Sequence, residues 1–407
     1  MEYGLLGEKL GHSFSPQLHK ALAGYDYQLI PTPPDQLEQL FSKRDFRGLN
    51  VTIPYKQAVI PLCDEVDESA SLIGAVNTVV NRNGRLIGYN TDLDGLIYLA
   101  KSTGVELSGK KVLILGSGGT SRTVQAAVKL LGATEIVVIS RSGQNNYQTL
   151  YRHADAQVLI NTTPVGMFPD CGTSPVSLKD FPNLTGVLDV VYNPLRTALY
   201  LQAAARSIPC ACGLPMLVAQ AKRAAELFTD TSIPDSRIDE VLTILRAQLE
   251  NIVLIGMPGC GKSSVGQALA QKLGRKWIDL DKMIEDRAGK SIPEIFSQDG
   301  EHTFRTLESK CVQEAGSQTG CVISTGGGVV TRAENYRPLH QNGVIIHLAR
   351  DLSKLPKDGR PISQRIDLHL LWQKRKSLYE QFADFVIENN TALPLTVERI
   401  EQELNRR

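Results

Sequence analysis

One stretch near the middle of the chain leaves few folds open: Asn251-Ile-Val-Leu-Ile-Gly-Met-Pro-Gly-Cys-Gly-Lys-Ser263. The apolar run Ile252 to Ile255 reads as a buried parallel strand. It passes directly into Gly256-x-x-x-x-Gly261-Lys262-Ser263, after which Val265, Ala268, Leu269 and Leu273 keep helical spacing. Strand, glycine loop and helix in that order form a P-loop. Gly256, Gly259 and Gly261 let backbone N–H groups turn toward phosphate oxygens. The helix start at Lys262-Ser263-Ser264 adds partial positive charge. In this pattern Lys262 sits on the β- and γ-phosphates of ATP and the Ser263 hydroxyl on Mg2+. From residue 250 onward the expectation is therefore an α/β domain with a parallel sheet.

The P-loop accounts for less than half of the chain, whose 407 residues make two or three domains the expectation. Formal net charge is +1, so no basic field invites nucleic acid or an anionic membrane. No apolar run is long enough to span a bilayer, and Met1-Glu-Tyr-Gly enters apolar structure without the basic stretch or cleavage site of a leader. Seven cysteines without metal-ligand spacing point to a reducing cytoplasm. Cys260, inside the P-loop, reads as a bystander at a variable position, with a regulatory thiol as the alternative. Small molecules are the expected partners, and self-association into a homo-oligomer is left open.

Before the P-loop, polar residues gather at strand ends. Tyr3-Gly-Leu-Leu-Gly7 reads as a short strand, followed by Gly11-His-Ser-Phe-Ser-Pro16 and a helix from Gln17 to Ala23 with Pro16 in its first turn. Ser13 and Ser15 alternate around Phe14, so their hydroxyls can face one side and hold a carboxylate, or cap the helix. In Gly48-Leu-Asn-Val-Thr-Ile-Pro-Tyr-Lys56, the residues Asn50, Thr52 and Pro54 alternate with Val51 and Ile53. That pattern is a strand with one polar face, ending near Lys56. Gly74-Ala-Val-Asn77-Thr-Val-Val is a strand with a single amide. In Gly88-Tyr-Asn90-Thr-Asp92-Leu-Asp94-Gly95, both acids are N-cap candidates for the next helix. Polar groups at several strand ends point to one pocket.

A second glycine turn begins at Lys111-Val-Leu-Ile-Leu-Gly116-Ser-Gly118-Gly119-Thr120-Ser121. A helix follows with Val124, Ala127, Val128 and Leu131 on one face and Gly132 as its stop, and then the strand Glu135 to Ile139. This βαβ unit carries the dinucleotide fingerprint, with Ser121 where a third glycine often stands. NAD-binding folds place an acid after the second strand to bond the ribose hydroxyl. Here the strand ends in Ser140-Arg141-Ser142, a guanidinium and two hydroxyls that suit a 2′-phosphate. NADP over NAD is the expectation.

These residues together resemble shikimate dehydrogenase over about residues 3 to 230. The resemblance rests on His12-Ser-Phe-Ser-Pro16, Asn50-Val-Thr-Ile-Pro-Tyr-Lys56, Gly74-Ala-Val-Asn77-Thr, Asn90-Thr-Asp92, the glycine turn at 116–121, and Gly213-Leu-Pro-Met216 with Gln220. It implies a substrate domain over residues 1–100, with a helical segment at 215–249 packing back on it, and a Rossmann NADP domain over 101–214. By resemblance, Ser13 and Ser15 hold the shikimate carboxylate, Asn77, Asn90 and Gln220 read its hydroxyls beside Thr52, and Lys56 and Asp92 are the catalytic pair. The NADP(H) candidates are Gly116, Gly118, Gly119, Thr120, Ser140, Arg141, Ser142, Thr162, Tyr192, Gly213 and Met216. The family reaction is reduction of 3-dehydroshikimate by NADPH. One departure is the short span from Arg141 to Asn161, which implies a reduced helix and strand. Another is the lack of a second basic residue between Gly143 and Asn146.

The second half resembles shikimate kinase over about residues 251 to 390. Beyond the P-loop it carries Asp279-Leu-Asp281, Phe304-Arg305-Thr-Leu-Glu308, Ser324-Thr-Gly326-Gly327-Gly328, Gly359-Arg360-Pro361 and Arg375-Lys-Ser-Leu-Tyr379. By resemblance, Asp281 positions the attacking hydroxyl, and Asp279 supports Mg2+ through water beside Ser263. Arg305 and Arg375 clamp the carboxylate, and Gly326, Gly327 and Gly328 let backbone approach the ring. Arg360 is a lid arginine within a lid near 351–364 of a domain spanning 250–407. The stretch Asp351 to Gly359 is short for the family, and the roles of Arg350 and Lys357 stay open. The implied activity is bifunctional: reduction of 3-dehydroshikimate, then ATP-dependent phosphorylation of the product. The alternatives are a catalytically silent sensor of shikimate or quinate built from the same folds, and a first half that prefers quinate.

Overall fold

The computed structural model describes residues 2–11, 13–355 and 367–406. His12, Lys357, Gly359, Arg360 and Pro361 lie outside the described residues. The chain divides into two compact units, one of residues 1–167, 173–192 and 196–245, the other of residues 168–172, 193–195 and 246–407.

The first unit holds two sheets. Strands β1 (Tyr3–Gly7), β2 (Gln28–Pro31), β3 (Gly48–Val51), β4 (Glu65–Val66), β5 (Thr78–Arg82) and β6 (Arg85–Tyr89) form a mixed sheet in the order β2-β1-β3-β5-β6-β4. Its antiparallel β5–β6 hairpin turns at Asn83-Gly84, both with positive φ, which is the residue pair such a two-residue turn requires. Helices α1 (Ser15–Ala23), α2 (Leu37–Lys43), α3 (Glu68–Ile73) and α4 (Asp92–Thr103) are interleaved with these strands.

The second sheet is parallel throughout, in the order β11-β10-β9-β7-β8: β7 (Lys111–Leu115), β8 (Glu135–Ile139), β9 (Val158–Asn161), β10 (Gly186–Asp189) and β11 (Cys210–Ala211). Helices α5 (Gly119–Leu130) and α6 (Ala198–Ala204) belong to it. Chain order reverses at β7, which neighbours both β8 and β9, and such a switch point opens a crevice at the strands' carboxyl ends. The shortened span is visible here: a 3-10 turn at Leu150–His153 is the sole helical element between β8 and β9. Helix α7 (Leu214–Thr229) then returns to pack on α4 and α1, and α8 (Ser236–Leu249) follows it.

In the second unit the strands β12 (Asn251–Ile255), β13 (Trp277–Asp279), β14 (Val322–Ser324), β15 (Gly343–Ala349) and β16 (Phe385–Glu388) run parallel in the order β13-β14-β12-β15-β16. The P-loop strand is the central one, and all five of its residues are buried. That explains its uninterrupted apolar run, since each large aliphatic side chain so buried contributes roughly 1.5–3 kcal/mol. The helices are α9 (Lys262–Leu273), α10 (Leu280–Ala288), the single turn α11 (Ile292–Glu294), α12 (Gly300–Ser317), α13 (Tyr336–Gln341), α14 (Leu368–Phe382) and α15 (Leu393–Asn405).

Three local expectations are corrected. The polar-faced strand through Pro54 ends earlier, because Thr52 leaves the ladder after Val51 and residues 53–59 form turns. Asn77 lies just before β5 rather than inside a strand. Neither Asp92 nor Asp94 caps α4: Thr91 holds the N-cap position without a side-chain cap bond to the helix, and Asp92 turns to a lysine instead.

Candidate active sites

In the first unit, strand ends of the mixed sheet converge. The turn after β3 carries Lys56, whose carbonyl accepts the Val76 N–H at 2.7 Å, so the turn is tied to the segment leading into β5. Lys56 Nζ donates to Asp92 Oδ2 at 2.5 Å, and the two side chains are 27% and 16% exposed. They are sheltered enough to be held and open enough to meet a substrate. Asn77 and Asn90 flank this pair as cross-strand neighbours, because the hairpin register aligns Thr78 with Tyr89. Ser13 Oγ lies 3.1 Å from Ser15 Oγ and accepts the Ser15 N–H at 3.2 Å, so the two hydroxyls sit together. They do not cap α1, whose N-cap residue, Phe14, makes no side-chain cap bond.

Gln220 lies alongside α4 because α7 packs on it, and its Nε2 donates to the Leu217 carbonyl of its own helix at 2.8 Å. A Cβ on Gly95 would lie 2.7 Å from the Met216 carbonyl oxygen and 3.1 Å from Gln220 Cβ, so glycine alone permits the approach. Gly213 has the same role at the start of α7, where a Cβ would fall 2.1 Å from the Val190 carbonyl oxygen. Thr52 packs its methyl group against Gly7.

On the nucleotide side, Gly116 has φ +105°, a conformation that favours glycine. A Cβ there would lie 2.7 Å from Thr162 Oγ1, which itself donates to the Leu115 carbonyl at 2.7 Å. Gly118 and Gly119, where α5 begins, have open space where a side chain would be. A helix start with room beside its glycine α-carbons is the kind of place where a phosphate group can approach backbone N–H groups. Ser140 and Arg141 follow β8, with Arg141 exposed. Tyr192 meets Phe14 edge-on at 6.1 Å, so the serine loop and the nucleotide side touch through two rings. Beneath them, Asp189 is buried and its carboxyl is pushed up to about 6 by burial. It accepts bonds from Thr197 Oγ1, the Val191 N–H and Asn161 Nδ2, which moderate the rise.

The second unit contains a cavity of about 490 Å3 lined by Gly259, Lys262, Asp281, Arg305, the glycines 326–328 and Arg375. Lys262 is buried and donates to the carbonyls of Gly256 (2.9 Å) and Met257 (3.1 Å). Ser263 Oγ donates to Asp279 Oδ2 at 2.8 Å, while Asp279 Oδ1 caps α10 by accepting the Asp281 N–H at 3.0 Å. Two hard oxygen donors so close fit Mg2+, which completes its shell with water and substrate phosphates. Burial pushes the Asp281 carboxyl up to about 6, and the Lys262 ammonium pulls it partly back.

The sequence alone did not assign several partners of these groups. Arg305 donates to Glu308 Oε2 at 2.7 Å and to Glu301, and burial raises the Glu308 carboxyl despite the guanidinium beside it. Spacing of three on one helix is the signal for that pair. Arg375 and Tyr379 both donate to the Gly327 carbonyl, at 3.0 and 2.6 Å, pinning the glycine loop from α14. A Cβ on Gly328 would lie 2.3 Å from the Arg305 guanidinium. Asn389, far away in sequence, props the P-loop by donating to the Cys260 carbonyl at 2.7 Å. Cys260 itself is fully buried, which favours the bystander role over a reactive thiol. Arg350 lines the cavity.

Comparison with known proteins identifies both halves. The family model for the shikimate dehydrogenase substrate binding domain matches residues 5–79, and that for shikimate kinase matches residues 258–405. The NADP-dependent shikimate dehydrogenase of Alkaliphilus oremlandii is 35% identical over 271 residues, covering 59% of this chain and 95% of that protein. The Halothermothrix orenii enzyme is 38% identical over 264 residues, covering 56% and 90%. Among solved structures, a chorismate mutase/shikimate 5-dehydrogenase fusion protein from Clostridium acetobutylicum has a TM-score of 0.57 and 35% identity, over 60% of this chain and 96% of that one. The Thermus thermophilus shikimate 5-dehydrogenase, in complex with NADP(H) and shikimate, has a TM-score of 0.55 and 33% identity, over 60% and 98%. The chain belongs to the shikimate dehydrogenase family and carries a shikimate kinase domain behind it.

Proposed function

We propose that this chain is a bifunctional enzyme of aromatic amino acid biosynthesis, reducing 3-dehydroshikimate to shikimate and phosphorylating that product to shikimate 3-phosphate. The observation that carries the reading is the presence, on one chain, of a lysine–carboxylate pair beside a dinucleotide cradle and of an arginine-lined cavity beside a P-loop. Residues 1–100 with the returning helices of 215–249 form the substrate domain, 101–214 the NADP domain and 250–407 the kinase.

In the first site, bound NADPH supplies the hydride. Ser13 and Ser15 take the substrate carboxylate through their hydroxyls, and Thr52, Asn77, Asn90 and Gln220 surround the ring. Lys56 holds a proton at the oxygen of the reacting carbon and delivers it as that oxygen gains charge. Asp92 orients the ammonium. Gly116, Gly118, Gly119 and Thr120 receive the pyrophosphate, Ser140, Arg141 and Ser142 the 2′-phosphate, and Thr162, Tyr192, Gly213 and Met216 the nicotinamide side. Arg141→Ser should raise KM for NADP about tenfold or more while moving KM for NAD less than about twofold, because only the 2′-phosphate loses a cation. Equal shifts for both nucleotides would remove Arg141 from that role.

In the second site, Asp281 orients the attacking hydroxyl and takes its proton as the new O–P bond forms and the bond from the γ-phosphorus to the departing ADP breaks. Arg305 and Arg375 hold the carboxylate, and Gly326, Gly327 and Gly328 admit the ring. Gly256, Gly259, Gly261, Lys262, Ser263 and Ser264 grip the nucleotide. Ser263 and Asp279 would hold Mg2+, which neutralises phosphate charge when bound. The resemblance adds Arg360 on the lid. We place the protein in the cytoplasm, where its seven cysteines, all free, and its nucleotide substrates fit. Among the described residues no helix is long and apolar enough to cross a membrane.

The test is one assay with 3-dehydroshikimate, NADPH, ATP and Mg2+, following NADPH loss and shikimate 3-phosphate together. Both should appear, the second depending on the first. NADPH loss without phosphate ester would overturn the kinase assignment, and ester formation only from added shikimate would overturn the reductase.

A further inference from the structure

The dehydrogenase site is backed by a hydrogen-bond chain whose direction is fixed at both ends by main-chain groups. Tyr27 donates its phenol hydrogen to Asn50 Oδ1 at 2.7 Å, and its ring stacks on buried His19 at 4.1 Å. Asn50 lies directly across the sheet from Thr78. Its Nδ2 donates to Thr78 Oγ1 at 3.0 Å and toward the Asn77 carbonyl at 3.4 Å. A carbonyl can only accept, so the Asn50 amide cannot turn around without setting two oxygens against each other. At the other end the Thr91 backbone N–H donates to Asn77 Oδ1 at 2.7 Å, and an N–H can only donate. Between these ends Thr78 Oγ1, filled by the Asn50 hydrogen, sends its own hydrogen onward, with Asn77 Oδ1 at 3.1 Å and Thr91 Oγ1 at 3.2 Å as acceptors.

The Asn77 amide therefore has its oxygen turned inward. One Nδ2 hydrogen is used on Thr91 Oγ1 at 3.1 Å, and the other remains to be given. Asn90, its cross-strand neighbour, is held the opposite way. Its Nδ2 donates to the Ala75 carbonyl at 2.9 Å, and its Oδ1 is buried with no partner. On neighbouring strands the two amides offer one donor and one acceptor, a combination that a hydroxyl can satisfy. A ketone cannot donate to Asn90, and an ammonium cannot accept from Asn77. The reacting oxygen alternates between ketone and hydroxyl, so the pair suits a hydroxyl that persists through the reaction.

We infer that Asn50, steadied by Tyr27 and acting through Thr78, is a positioning residue for the dehydrogenase. It locks Asn77 as a donor beside the acceptor Asn90, so that the site selects substrates by a non-reacting ring hydroxyl. This rests on the dehydrogenase reading above and extends it to residues that touch no substrate.

The experiment uses the full chain and measures shikimate oxidation by NADP+, with 4-deoxyshikimate as the hydroxyl-deleted probe. The parent should prefer shikimate by about a hundredfold or more in kcat/KM, because deleting the hydroxyl leaves both amides unpaired. Asn50→Asp puts an acceptor opposite the Thr78 hydroxyl and draws its hydrogen away from Asn77. It should raise KM for shikimate about tenfold, leave KM for NADP within about twofold, and shrink the preference over the deoxy compound about tenfold. Tyr27→Phe, which removes one oxygen, should shift the preference the same way by about threefold, and decides the matter if the aspartate variant does not fold. Undiminished preference in the folded variants, with both substrates slowed alike, would overturn the proposal alone. A parent unable to oxidise shikimate would overturn the dehydrogenase reading, and the proposal with it.

Discussion

Replacing Lys262 with alanine should lower phosphoryl transfer by roughly a thousandfold or more while leaving NADPH oxidation within about twofold of the parent. The size follows from where the ammonium is kept. It is buried between the Gly256 and Met257 carbonyls, at 2.9 and 3.1 Å. A charge already oriented in a sheltered site costs no rearrangement when phosphoryl charge develops, so its removal is felt almost fully in the transition state. A second loss adds to the first. Burial raises the Asp281 carboxyl, and Lys262 is the cation that opposes the rise. Without that cation, less of Asp281 is in the charged form that the role proposed for it requires. Lys262→Arg should not restore the rate, because a planar fork does not replace a compact ammonium between two carbonyls. The initial rate of ester formation and the rate of NADPH loss, measured on the same preparation, check this. Kinase turnover above a tenth of the parent would remove Lys262 from its role, and a parallel fall in reductase rate would mean that the lesion is global.

The features legible beforehand are those whose information is local. The P-loop could be read because an apolar strand, a glycine loop and an amphipathic helix follow one another, and the structure places them as β12, loop and α9. The reduced nucleotide half was legible as a length, residues 143 to 160 being too few for a full helix and strand. Ser13 and Ser15 do come together, though through a turn at Phe14 that already has helical φ and ψ and not along the extended segment that alternation implied.

What the chain conceals is long-range. Period two assigned Asn50 to the same polar face as Thr52, yet all four residues of β3, an interior strand between β1 and β5, are buried. Asn50 is polar for the sake of an internal chain and not for solvent. Asp92 and Asp94 look alike as helix-start acids, and only the turn carrying Lys56 separates them. Tyr379 and Asn389 support glycine loops 52 and 129 residues away, and no spacing rule reaches that far. The direction of the Asn77 amide is subtler still, since its oxygen accepts both from a backbone N–H across the hairpin and from the Thr78 hydroxyl that Asn50 fills.

Lys56→Ala should lower the turnover of the dehydrogenase by a factor of about a hundred or more, with KM for shikimate little changed and the kinase rate untouched. The split follows from geometry. The carboxylate and hydroxyls of the substrate are assigned to Ser13, Ser15, Asn77, Asn90 and Gln220, none of which the substitution removes. Lys56 is instead assigned to the reacting oxygen, where charge appears only as hydride is transferred, so on that assignment its contribution belongs to the transition state. Its Nζ is held at 2.5 Å by Asp92 Oδ2, and its carbonyl is tied to the Val76 N–H, so neither the proton nor the turn has to be found during the reaction. Alanine leaves a gap of ammonium size beside an unpartnered carboxylate, and that gap is a second readout. Small primary amines added to the solution can enter it, and the rate should rise with their concentration and with the fraction that is protonated in the reducing direction. Asp92→Asn, which keeps the shape and loses the charge, should show a smaller fall and no amine rescue, because its lysine remains in place. Near-normal turnover in Lys56→Ala, or amine rescue equally strong in both variants, would show that the proton comes from elsewhere.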